Sequence, residues 1–388
     1  MAPEDHLCLL LARGELSPGA RKQALELLAS PLRWDVILRR AAAHQVFPLL
    51  YRNLRTLDWP GVPEEARSRI KSAFRLNALR HMQLSAELAR LLRVLTEAGI
   101  SVVPLKGVTL AASLYGDPAF RVCADLDVLV APESLTHAIE AVRGSGYHDE
   151  STDPFFSGLA LRYGRHYDLL RDGALPCLLE IHWRVVQNSS KNDEALKDLW
   201  AEARPATFLG VKACALSAEW ELLHLAIHAA DHQWQTLKWL VDIHEICLGR
   251  SLDWRKLREK TERFELDSIL EQTLTVCSSL LGTPTPAGFS PAAPPANARL
   301  FPAVPFPPGA SEAALFHLRL LRRPLDRLRC LATILLVPKL PDRQLLRLPT
   351  SLGFLYYVVR PLRLSCKWSW RLFSHTLSSF PVLVHLHK

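Results

Sequence analysis

Two aspartates, Asp125 and Asp127, stand at spacing two in the apolar run Arg121-Val-Cys-Ala-Asp-Leu-Asp-Val-Leu-Val130. In an extended strand successive side chains alternate faces, so the two carboxylates point one way while Leu126 and Val128 point the other. Like charges held this close raise each other's pKa, a cost that a cation between them removes. Magnesium (or manganese) suits the position, because hard divalent ions take carboxylate oxygens together with substrate phosphates. A third acid, Glu180, lies in the strand-like run Leu178-Leu-Glu-Ile-His-Trp183, where an unpaired carboxylate is costly. His182 shares its face by the same period of two. A salt bridge from Glu180 to Arg184 or Arg165 is the competing structural reading. Asp168 and Asp172 read as ordinary hairpin residues around a turn at Asp172-Gly173.

The elements upstream are suited to holding phosphate. Residues 100–105 form a β-prone run, Lys106-Gly107 follows, and residues 108–115 have a helical pattern closed by Gly116-Asp117-Pro118. Glycine between a strand and a helix lets backbone N–H groups approach a phosphate, and Lys106 adds a mobile positive charge beside it. Arg121 either clamps a phosphate through its planar fork or pairs with Asp117.

Leu105-Lys106-Gly107, Leu114-Tyr-Gly-Asp-Pro118, Arg121 and Ala124-Asp-Leu-Asp-Val-Leu-Val130 resemble the uncharacterised nucleotidyltransferase family of the DNA polymerase β-like superfamily. The acid-x-His-Trp segment at Glu180 and the Lys238-Trp-Leu-Val-Asp242 segment continue the resemblance, as does Leu355-Tyr-Tyr-Val-Val-Arg-Pro361 near the C-terminal end. It implies an α+β fold, a small mixed-sheet nucleotidyltransferase core flanked by N-terminal and C-terminal helical regions. It further implies transfer of a nucleoside monophosphate from an NTP to an unknown hydroxyl-bearing acceptor, with Asp125, Asp127 and Glu180 holding two metal ions. Lys106, Gly107, Arg121 and His182 would surround the nucleotide. Val108 stands where the superfamily often has a small hydroxyl residue, and Lys106 is the residue that replaces its phosphate contact. The alternative is a catalytically inactive nucleotide-binding protein, or a nucleic-acid or membrane-associated interaction protein, of the same fold.

His224, His228 and His232 recur at i, i+4 on one helical stripe. No recognised zinc spacing completes them, so the reading is a helix beside the sheet with its histidines turned towards nucleotide or acceptor. Trp239 reads as a core anchor, and Asp242 or Lys238 as able to reach the site.

With 388 residues, 49% of them hydrophobic, the chain is long enough for more than one packed unit. Composition divides it into an N-terminal helical region (1–98), the core (99–186), a helical region packing on it (187–282), a Pro/Ala-rich linker or loop (283–310) and a basic helical C-terminal region (311–388). Residues 66–95, 220–248 and 254–281 are the strongest helical stretches. The last region holds 13 Lys plus Arg against 3 Asp plus Glu, which exceeds the net +8 of the whole chain. Its arginines, among them Arg319, Arg322, Arg323, Arg327 and Arg329, suit an anionic partner such as RNA, a membrane surface or a phosphorylated acceptor, or else are solvated helix faces. Eight cysteines without C-x-x-C spacing read as buried free thiols. With no basic-then-apolar leader and no transmembrane segment, the expectation is a cytoplasmic protein.

Overall fold

The computed structural model describes residues 1–149, 153–173, 175–186, 189–284, 286, 289, 301–305, 316 and 318–378, with side chains described as far as 367. Apolar residues at helical spacing build its first quarter: α1 (Pro3–Leu11), α2 (Pro18–Leu28), α3 (Trp34–Ala43), α4 (Phe47–Thr56) and the 34-residue α5 (Glu64–Glu97). Glu64 and Glu65 favour the positive end of the α5 dipole, and Gly99 at φ 73° lets the chain turn back after it. Leu84, Leu88, Leu91, Leu92 and Leu95 fall on one stripe of α5 and cover one face of the sheet.

That sheet has five strands: β1 (Val102–Leu105), β2 (Leu126–Val130), β3 (His148–Asp149), β4 (His166–Arg171) and β5 (Cys177–His182), in the order β1-β2-β5-β4-β3. Only β2 and β5 run parallel, and all other pairs are antiparallel, so the sheet is mixed. Between its strands lie α6 (Gly107–Tyr115), α7 (Leu135–Gly144) and α8 (Pro154–Tyr163). After α9 (Asn192–Glu202), a hairpin of β6 (Arg204–Phe208) and β7 (Val211–Ala215) turns at Leu209 and Gly210, both at positive φ as a type I′ turn requires.

The stretch 220–248 is two helices, not one: α10 (Ala218–Asp231) and α11 (Leu237–Gly249). Gln233 and Trp234 take positive φ between them, which drops the Trp234 indole into the core, where its N–H donates to Thr273 Oγ1 at 2.9 Å. Burial of a large aromatic with its polar atom satisfied outweighs helical continuity. In the same way 254–281 divides into α12 (Trp254–Phe264) and α13 (Asp267–Leu281) at Glu265, φ 61°.

One apolar cluster runs from α1–α4 through α10–α13 to the inner ends of β1 and α6, so the two helical regions share a core. A second cluster lies between α5, α7 and the sheet. Most of 283–310 falls outside the described residues, yet Phe289 and Phe301 are buried, Phe301 stacking on His44 at 4.5 Å. Beyond it come helices Pro324–Leu336, Leu340–Leu345 and Tyr356–Ser378. Among the described residues no helix is long and apolar enough to cross a membrane. All eight cysteines are free thiols; Cys366, unlike the expectation, is exposed.

Candidate active site

β2 begins at Leu126, so Asp127 is in the strand and Asp125 immediately precedes it. Leu126 and Val128 are buried in the cluster under α5, and the aspartates face the opposite side as the period of two predicts. Because β2 and β5 are parallel neighbours, Asp127 and Glu180 are directly paired across the ladder. One carboxylate oxygen from each of Asp125, Asp127 and Glu180 lies within 4.8 Å of the other two. The three acids converge.

The loop that delivers Asp125 is held by its own carbonyls. Asn77 Nδ2 donates to the carbonyls of Ala119 (2.7 Å) and Arg121 (3.2 Å), Arg80 donates to that of Ala124 (3.0 Å), and Lys238 Nζ donates to that of Val122 (3.1 Å). His81 also binds the Arg121 carbonyl. Two helices, α5 and α11, thus grip residues 119–124 from either side.

Lys106 and Gly107 both take positive φ, 37° and 58°, which turns the chain from β1 into α6. Glycine does this at no steric cost, whereas Lys106 is strained. The Lys106 Nζ lies 2.9 Å from Asp127 Oδ1, and both side chains are buried. His182 Nε2 is 3.1 Å from Asp127 Oδ1 and 3.1 Å from Glu180 Oε2.

These contacts set the ionisation. Burial works against charge on Lys106, but Asp127, Asp125 and Glu180 outweigh it and raise its pKa. Burial alone would raise Asp127; Lys106 and His182 hold it far below the usual carboxylate range. Glu180 is likewise lowered against burial, chiefly by its hydrogen bond to His182. Asp125 goes the other way: burial and then the Asp127 charge raise it, and Lys106 compensates only in part. Asp127 Oδ2 is buried with no hydrogen-bond partner among the described residues. An orphaned oxygen in a trio of hard oxygen donors is what a hard divalent cation fits.

Arg121 does not join this group. Its guanidinium is buried, donating from Nε to Asp242 Oδ2 at 2.9 Å, while the Tyr115 hydroxyl donates to Asp242 Oδ1 at 2.8 Å. It does not pair with Asp117, whose carboxylate accepts the Ala119 N–H. Asp242 is fully buried in that contact and so does not reach the site either. Of the arginines expected beside Glu180, Arg165 pairs with Asp231 and Arg184 donates to the Gly164 carbonyl.

The histidine stripe separates along its length. The His224 ring lies 6.4 Å from that of His182, beside the acidic centre, and its Nε2 is buried with no hydrogen-bond partner among the described residues. His228 and His232 instead pack on Trp239, at 4.9 and 4.5 Å between ring centres. Burial, then Lys106, pushes His224 down to about 3, and burial, then Arg165, takes His232 to about 4. These imidazoles are neutral.

Two residues escaped the sequence reading. His166 and Asp168 are in β4, opposite His182 and Glu180 respectively, with His166 Nδ1 3.9 Å from Glu180 Oε2. Asp168 is therefore not an ordinary hairpin residue. A signal was present: His-x-Asp before the Asp172-Gly173 turn mirrors Glu-x-His after it, and a hairpin register brings mirrored positions together.

A cavity of about 440 Å³ adjoins the centre, lined by Lys106, Thr109, Ser113, Glu221, His224 and Arg250 among others. Lys106 and His224 are walls common to both.

Residues 30–282 match a family model described as uncharacterised nucleotidyltransferase. The chain belongs to this family. The match takes in every element that builds the acidic centre, from α5 through α11. No curated protein matches the chain. Among solved structures, an antigenic nucleotidyltransferase-like protein from Paracoccidioides brasiliensis is similar at 18% identity, over 48% of this chain and 92% of that one. Its TM-score of 0.30 is too low for the likeness to bear on the fold.

Proposed function

We propose that this member of the nucleotidyltransferase family is a metal-dependent enzyme that moves a nucleoside monophosphate from an NTP to a hydroxyl acceptor and releases pyrophosphate. The observation that carries the reading is the convergence of Asp125, Asp127 and Glu180 within 4.8 Å, with the Asp127 Oδ2 orphaned among them. Asp125, Asp127 and Glu180 would hold the cation. When bound, a divalent ion such as Mg²⁺ or Mn²⁺ supplies charge neutralisation at the phosphates and acidifies the attacking hydroxyl.

The chain's own groups do the rest. The N-terminus of α6, with the backbone at Gly107, presents N–H donors that have no partner within the helix, and these suit a triphosphate. Lys106, which neutralises Asp127 in the absence of a cation, lies at the same turn and gives its charge to phosphate once Asp127 is otherwise engaged. His182 keeps the Asp127 and Glu180 carboxylates in register by hydrogen-bonding to both. The neighbouring cavity is of a size for a nucleoside or a small acceptor, with Thr109, Ser113, Glu221 and Arg250 among its polar groups.

The test is incubation of the full chain with NTPs labelled at the α-phosphate, Mg²⁺ and a cell extract. A labelled fraction, absent with the Asp125→Asn variant, is expected. Magnesium-dependent NTP binding without transfer to any fraction would instead favour an inactive nucleotide-binding protein.

A further inference from the structure

Glu180 has two sides. Asp125 and Asp127 lie on one; on the other are His166 and a third aspartate, Asp168, brought there by the β4–β5 hairpin, while His182 touches both Asp127 and Glu180. His166 Nδ1 lies 3.9 Å from Glu180 Oε2, and His182 Nε2 lies 3.1 Å from the same oxygen. One ligand atom from each of His166, Glu180 and His182 lies within 4.8 Å of the other two. A tetrahedral ion with bonds of about 2.1 Å needs donors about 3.4 Å apart, so only small side-chain adjustments separate this arrangement from a ligand set.

The His166 Nδ1 is buried and has no hydrogen-bond partner among the described residues. A lone imidazole nitrogen facing a carboxylate is a position that a cation completes. Behind it, Asp168 Oδ1 lies 3.5 Å from His166 Nε2. There the Asp168 charge favours a proton on Nε2 and leaves Nδ1 to coordinate; on closing to hydrogen-bond distance it would fix that tautomer, as at many metal sites. His182 Nε2 lies between two carboxylate acceptors, where either a proton or a metal ion satisfies the geometry.

We propose that His166, Glu180 and His182 form a cation site of their own, selective for a borderline transition-metal dication of the zinc type over Mg²⁺, with Asp168 orienting His166. The donor set decides the selectivity. Two imidazoles and one carboxylate favour Zn²⁺ and its neighbours, whereas Mg²⁺ prefers oxygen throughout. The site shares Glu180 with the carboxylate trio but does not depend on nucleotidyl transfer.

Co²⁺ is the probe, a spectroscopic stand-in for Zn²⁺, added to the metal-free protein. The expected result is a visible d–d absorption of tetrahedral character that Zn²⁺ abolishes and that about a hundredfold excess of Mg²⁺ leaves in place. His166→Gln, checked for folding by circular dichroism, weakens Co²⁺ binding by about tenfold or more, and so does the milder Asp168→Asn. Absence of the absorption in the wild-type protein overturns the proposal, as does an undiminished absorption in folded His166→Gln. A signal lost only in Asp125→Asn would place the ion among the three carboxylates and also overturn it. Magnesium-dependent labelling by NTP without Co²⁺ binding defeats this inference alone; Co²⁺ binding without any transfer leaves it standing and defeats the enzymatic reading.

Discussion

At the residue scale the two aspartates are unequal, although the sequence presents them as a pair. Asp127 is buried against Lys106 and His182, while Asp125 is desolvated and repelled by Asp127 with less in return. Removing one partner of a buried pair leaves an uncompensated charge, so Asp127→Asn should cost about 3–5 kcal/mol of unfolding free energy. Asp125→Asn should be neutral or slightly stabilising, because it removes a repelled, desolvated charge. Urea unfolding of both variants without metal measures the difference; equal losses would mean that Lys106 does not favour Asp127. Transfer activity should vanish in both. The D-x-D spacing and Glu180 were legible because acids in apolar runs need a stated reason, and Lys106 because it stands beside the glycine of a strand-to-helix turn. His166 and Asp168 were not, because polar residues just before a turn signal look like turn residues until the hairpin register is known.

At the element scale the acidic loop depends on a clamp that sequence alone did not assign. Arg121, Tyr115 and Asp242 close on each other out of water, tying the end of α6 and the start of the loop to α11. Asp242→Asn should lower stability by about 3–5 kcal/mol and reduce transfer by displacing the loop that carries Asp125. A double-mutant cycle with Arg121→Met should recover part of the loss, since the guanidinium is then no longer left buried alone. Additive losses would contradict the clamp. The partner was hidden because Asp242 is 121 residues from Arg121, and a lone arginine near a lone acid gives no sequence periodicity. Element types were legible from apolar spacing in α5, β2 and β5. The breaks at Gln233-Trp234 and Glu265 were not, because each is imposed by what the chain packs against and carries neither proline nor glycine.

At the scale of the whole molecule, neutral buried histidines make the fold sensitive to acid. Burial takes His44, His81 and His244 each down to about 4 from an ordinary value of 6.5. Their folded-state values are depressed, so the unfolded chain binds protons first, and stability present above pH 6.5 is lost as pH falls towards 4. His44 shows why: its Nδ1 accepts the Leu237 N–H while its Nε2 contacts the Pro302 carbonyl at 2.7 Å, so a second proton breaks the link between α3 and α11. Glu221 and Glu245, raised by burial from 4.5, act in the opposite sense, but they are two against three histidines. The melting temperature should therefore fall between pH 7 and pH 5; a flat profile would contradict the neutral assignment. The basic C-terminal region also reads differently in three dimensions. Arg322 and Arg323 pair with Asp267 of α13 and with Glu265, Arg343 with Asp153, and Arg360 and Arg363 with Asp342. Three of these arginines, Arg322, Arg323 and Arg343, are matched by acids that the linear count of the region leaves out.

The most direct measurement is anomalous diffraction from crystals grown with Mn²⁺ and a non-hydrolysable NTP analogue. The account predicts a manganese peak bound by Asp125, Asp127 and Glu180, with the triphosphate at the Lys106-Gly107 turn. Manganese bound elsewhere, or a nucleotide held away from the three carboxylates, would contradict it.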